Sequence, residues 1–180
     1  MPQIKMVVFD FDGVIVKCRR GEKLWRWFAE KLKIKTPKVF FFLQEIIEVW
    51  LDNKLEPVKE AVEAIKKLRQ NGYDVGLLTD RSLWSLDIFF SDNNKGINFN
   101  SFAFVQTRKS SLNRLVKQLP LNTVFLVSGK TKPNFQMFQG LKRFAAENNI
   151  EAQEILIIDD LPQVIELAKT NGFLVPRAEY

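Results

Sequence analysis

The sequence predicts a doubly wound α/β fold, a mostly parallel sheet with a small α-helical cap inserted after the first strand. Three observations carry that expectation. Apolar, β-branched runs of strand length recur along the chain, helical patterns lie between most of them, and one basic, aromatic-rich stretch near the N-terminus interrupts the alternation. A strand covered on both faces reads as an unbroken apolar run, and strand–helix–strand units make parallel sheets with right-handed crossovers.

The elements follow in order. Residues 4–9 are the first strand, and residues 18–56 then read as two helices joined by Lys35-Thr36-Pro37. Leu24, Trp27, Phe28 and Leu32 form the apolar stripe of one, and Val39, Phe42, Leu43, Ile46 and Trp50 that of the other. Pro57 opens the next helix, with Val58, Val62, Ile65 and Leu68 facing inward and Asn71-Gly72 ending it. Strands are predicted at 75–78, 124–127 and 155–158, and more weakly at 102–105 and 173–175. Helices are predicted at 133–148 and at 162–170, which Asn171-Gly172 ends, with a weaker one at 111–119. The Rossmann-like core thus comprises residues 1–17 and 57–180, and the cap residues 18–56.

With 180 residues, 46% of them hydrophobic, the chain can bury one core. Its net charge of +6 suits a polyanionic partner or a phosphorylated substrate, although a lysine-rich solvated surface gives the same total. There is no histidine, which excludes serine–histidine–acid triads and histidine general bases and leaves acid–base work to carboxylates. Cys18 is the only cysteine, so no internal disulfide forms. The apolar run before Asp10 is too short for a signal peptide, and residues 39–51 carry Glu45 and Glu48 and are too short to span a bilayer. A cytoplasmic protein without a membrane partner is expected.

In open α/β sheets, ligands bind beyond the carboxyl ends of the strands. Those ends read Asp10-Phe11-Asp12-Gly13, Thr79-Asp80-Arg81, Ser128-Gly129-Lys130-Thr131-Lys132-Pro133 and Asp159-Asp160. One edge would then hold acids, a hydroxyl and lysines, a set suited to a hard cation and a phosphate. Clustered carboxylates repel one another unless an oxygen-seeking divalent ion such as Mg²⁺ neutralises them. A carboxylate can also attack phosphorus, while a hydroxyl and a lysine bind the phosphoryl oxygens. Singly, each residue has a plainer reading. Thr79 or Asp80 could cap a helix beginning at Arg81, Lys132 could be solvated, and Asp159 and Asp160 could cap the helix at Pro162. Their shared location is what those readings leave unexplained.

In this order the four segments resemble the motifs of the haloacid dehalogenase-like (HAD) phosphohydrolases, and the insertion resembles their small helical caps in position. The resemblance implies that Asp10 is the nucleophile and a metal ligand. Asp12 would be the general acid and base, with its backbone carbonyl on the metal. Thr79, in a phosphate-binding segment with Asp80, would hydrogen-bond the phosphate, Lys132 would pair with the phosphate and Asp10, and Asp159 and Asp160 would hold Mg²⁺. Lys130 is the alternative to Lys132, and Phe135 stands where the family often has a second proline, while Phe138 fits an aromatic position. Members that cleave carbon–halogen bonds lack an acid at the position of Asp12, so dehalogenation is not expected. The implied activity is Mg²⁺-dependent hydrolysis of a phosphomonoester, a small organic phosphate or nucleotide, through an aspartyl-phosphate. A phosphomutase would share the first step.

Residues 17–38 hold nine basic and two acidic residues. With Trp25, Trp27, Phe40, Phe41 and Trp50 they could form a lid over the catalytic edge or pair two copies as a homodimer through the cap. A non-catalytic or nucleic-acid-binding module that stacks bases on these aromatics is the less favoured alternative.

Overall fold

The computed structural model describes residues 3–17, 55–116, 119–128, 132, 134 and 137–176. The expected cap helices, a homodimer through them, Cys18, Lys130 and Phe135 lie outside the described residues.

Among the described residues, five strands form one parallel sheet: β1 (Met6–Phe9), β2 (Asp74–Ser82), β3 (Phe104–Arg108), β4 (Val124–Ser128) and β5 (Ile155–Ile158). Their spatial order is β4-β3-β2-β1-β5. The chain steps outward from β1 through β2, β3 and β4, then returns to set β5 on the other side of β1. The order therefore reverses at β1, where such sheets open a crevice for ligands.

Among the described residues, four helices cover the sheet: α1 (Lys59–Gln70), α2 (Leu83–Phe90), α3 (Met137–Glu147) and α4 (Pro162–Thr170). Val7 and Phe9 point into a core with Val62 and Ile65 of α1 and Leu86 and Phe89 of α2. Met6 and Val8, one residue out of phase, join Leu141 and Phe144 of α3 and Val164 of α4. The two-residue period of a strand thus sends the apolar run in β1 to both faces at once, which is why it contains no polar residue.

Several boundaries differ from the sequence reading. β2 runs on to Ser82, and the hydroxyl of Ser82 accepts from the Ser85 N–H at 3.2 Å, so α2 begins at Leu83, capped by neither Thr79 nor Asp80. The weakly expected strand near 102–105 is β3. Instead of a helix over 111–119 there is a short 3₁₀ segment, Ser111–Leu115. There the Asn113 side chain donates to the Arg108 carbonyl and accepts from the Trp84 N–H, side-chain bonds of the kind that compete with helix formation. Residues 173–175 meet β5 through a single bridge, Leu156 to Leu174. Among the described residues, no helix is long and apolar enough to cross a membrane.

Phe11, just beyond β1, is fully buried edge-on against Phe89 at 4.9 Å and Phe90 at 6.0 Å. Phe89→Ala should destabilise the protein by about 3–5 kcal/mol, the usual cost of emptying a packed aromatic site. Denaturant midpoints at unchanged slope would check it.

Candidate active site

Asp10 leaves β1 at the reversal point. Its N–H donates to the Ile158 carbonyl at 2.8 Å, and Phe9 pairs with Ile158, so Asp10 and Asp159 emerge side by side from adjacent strands. The chain then turns tightly. Ile15 and Val16 donate to the Phe11 carbonyl at 3.0 and 2.9 Å, and Gly13 donates to the Val16 carbonyl at 2.8 Å. Gly13 has φ +84°, and a Cβ there would lie 2.2 Å from Asp160 Oδ2. Only glycine tolerates both the left-handed backbone and that approach.

The second segment sits on an irregularity. β2 pairs Leu78 with Gln106 but Ser82 with Arg108, so Thr79-Asp80-Arg81 spans a bulge. Bulges re-aim side chains, and each of the three here has a distinct partner. The buried Thr79 hydroxyl accepts from the Arg81 N–H at 3.1 Å. The Asp80 carboxylate accepts from the Lys132 backbone N–H, both oxygens at 2.9 Å. Asp80 is thereby a brace for the Lys132 backbone. Arg81, itself only 4% exposed, reaches Asp12: Nε lies 3.1 Å from each carboxylate oxygen and Nη2 2.6 Å from Oδ1.

Lys132, beyond β4, brings its buried ammonium between two acids, 2.8 Å from Asp10 Oδ1 and 2.5 Å from Asp159 Oδ2. Asp159 Oδ1 also accepts from the Leu161 N–H at 2.9 Å, at the start of α4. Burial pushes Asp10 up to about 7; the Lys132 charge opposes this, and the Asp159 and Asp12 charges add to it. Burial acts to lower Lys132, but Asp10 and Asp159 outweigh it and hold the ammonium above the usual lysine range.

One carboxylate oxygen from each of Asp10, Asp159 and Asp160 lies within 4.8 Å of the others. This all-oxygen donor set fits a hard divalent cation. Even beside an ammonium, burial and its acidic neighbours disfavour the charge on Asp10, so a further cation there would be stabilising. The side chain of Asp12 is outside this group, turned to Arg81. Arg81 is the residue to which sequence reasoning assigned no role. Its only signal is an arginine three residues past the apolar run 75–78, where burial of a guanidinium requires a carboxylate.

No protein-family model matches the sequence, and no curated protein does. Solved structures do match over nearly the whole chain. A predicted HAD-like family hydrolase from Porphyromonas gingivalis aligns with TM-score 0.60 at 22% identity, over 97% of this chain and 90% of that one. A HAD family enzyme from Bacteroides thetaiotaomicron, in complex with magnesium and inorganic phosphate, aligns with TM-score 0.55 at 17% identity, over 98% and 96%. L-2-haloacid dehalogenase from Xanthobacter autotrophicus aligns with TM-score 0.54 at 14% identity, over 96% and 76%. At these identities the likeness establishes the fold, an α/β fold shared with HAD-like hydrolases and dehalogenases alike.

Two outcomes follow for the acid cluster. Gly13→Ala should push Asp160 aside and weaken divalent-metal binding by about 10–100-fold, read by calorimetric titration. In chelator, the raised Asp10 means that the folded state holds a proton more tightly than the unfolded chain between about pH 4 and 7. Its contribution to stability is therefore full below about pH 4 and declines as pH rises to 7. The melting temperature of the wild type relative to Asp10→Asn should fall over that window, and added divalent metal should raise it more at pH 8 than at pH 5.

Proposed function

From the fold shared with HAD-like hydrolases, we propose that this protein is a Mg²⁺-dependent phosphatase that hydrolyses a phosphomonoester, a small organic phosphate or nucleotide, through an aspartyl-phosphate on Asp10. The observation that carries the reading is the Lys132 ammonium seated between Asp10 and Asp159, with Asp160 beside them. It combines a buried nucleophilic carboxylate, a cation for phosphoryl oxygens and an oxygen donor set for a metal.

An Asp10 oxygen attacks phosphorus in line, and the bond from phosphorus to the leaving oxygen breaks as Asp12 passes a proton to that oxygen. Water then attacks the phosphorus and gives a proton to Asp12. The phosphorus bond to Asp10 breaks, releasing inorganic phosphate and restoring the carboxylate. Lys132 and the Thr79 hydroxyl bind the phosphoryl oxygens as their charge redistributes. Asp10, Asp159 and Asp160, with the Asp12 backbone carbonyl, would hold Mg²⁺, which when bound offsets negative charge on the nucleophile and the phosphoryl group. The acid at position 12 favours phosphoryl chemistry over carbon–halogen cleavage, which needs no proton for its halide. The basic run at 17–38 would draw in an anionic substrate.

Phosphate release from p-nitrophenyl phosphate, with Mg²⁺ and with chelator, tests the proposal. Asp10→Asn should lower release by about 10³-fold or more, and chelator should abolish it. Release that persists in Asp10→Asn, or without metal, would overturn the reading.

A further inference from the structure

We propose that Arg81 is the positioning residue for Asp12, holding its carboxylate at the leaving-group side and out of the metal cluster; this rests on the phosphatase reading above. A buried guanidinium is costly unless fully matched, and Arg81 is matched in fork geometry by both oxygens of Asp12. The arm is fixed at each end. Its backbone N–H is tied to Thr79, and its guanidinium carbon lies over the Phe11 ring, 5.4 Å from the centroid. Phe11 is itself wedged by Phe89 and Phe90.

The consequence is a division among acids of one type. Asp10, Asp159 and Asp160 gather their oxygens within 4.8 Å, while Asp12, two residues from Asp10, is kept apart. A carboxylate that must give a proton in one step and take one in the next has to stay in one place and off the metal. Small misplacements of such groups are expensive, about 100-fold for 1 Å. As Asp12 yields its proton to the leaving oxygen, negative charge grows on its carboxylate, and the guanidinium stabilises that growing charge. The interaction therefore strengthens in the transition state, where it raises the rate.

Arg81 should matter in proportion to how much the leaving oxygen needs a proton. Phenyl phosphate and p-nitrophenyl phosphate have nearly the same shape, but phenolate leaves less readily. Relative to wild type, Arg81→Gln should lose about 10²-fold in kcat/KM on phenyl phosphate and less than about tenfold on p-nitrophenyl phosphate. Adding Arg81→Gln to Asp12→Asn, which removes both charges, should cost little more than Asp12→Asn alone. If the wild type hydrolyses both esters and Arg81→Gln lowers them equally, or speeds phenyl phosphate, the proposal is overturned and the phosphatase reading stands. If the wild type hydrolyses neither, both fail. Should Arg81→Gln turnover fall below detection, calorimetric titration with Mg²⁺ decides: severalfold tighter binding, as Asp12 swings to the cluster, supports the proposal, and unchanged affinity overturns it.

Discussion

The ammonium of Lys132 between Asp10 and Asp159 is the contact on which the catalytic edge depends. Side by side at the ends of adjacent buried strands, two carboxylates lose hydration and repel each other. A lysine shared between them offsets part of both costs, and it is in place only if its own backbone is held. Asp80 does that from β2, accepting the Lys132 N–H on both oxygens. The strand order then becomes intelligible as chemistry: β1 and β5 supply the acids, β2 the brace, and Lys132, beyond β4, the cation.

A second buried ion pair, Arg81 with Asp12, solves the same problem differently. Buried pairs are weak evidence for stability, since desolvation consumes most of the attraction, so geometry is the more informative property. Lys132 is a point charge and bridges Asp10 and Asp159; Arg81 is a planar fork and matches the carboxylate of Asp12. Two aspartates separated by a single phenylalanine are thereby given different surroundings, the condition under which one residue type can take two roles. The bulge in β2 makes this division, since it sends Asp80 and Arg81 to different partners.

Much of this architecture was legible in the sequence, and the reason is burial. A strand covered on both faces must be apolar throughout, so β1 stood out, and so did the acids after β1 and β5; β4 is as apolar in sequence, although Val124 and Val127 are exposed at the edge of the sheet. The weaker reading of β3 reflects Gln106 and Thr107, polar residues buried inside the strand. What escaped were properties of pairing. The bulge at Thr79-Asp80-Arg81 arises from register against β3, which no local pattern encodes. Asp80 and Arg81 therefore read as a strand end when they are a brace and an arm. The resemblance implies that Asp12 is a general acid and base with its backbone carbonyl on the metal; what sequence could not give is the direction of its side chain, which turns to Arg81.

The pairing of β1 with β5 joins Met6 to Ile155, almost the whole described chain apart. Contacts at such separation reward the chain only after the closure entropy of everything between them has been paid. Before β5 docks, Asp10 can remain hydrated and has neither Asp159 nor Asp160 beside it. The repulsion among these acids is thus tied to one long-range pairing, and it arises only when the strand that carries Asp159 and Asp160 is in place beside β1.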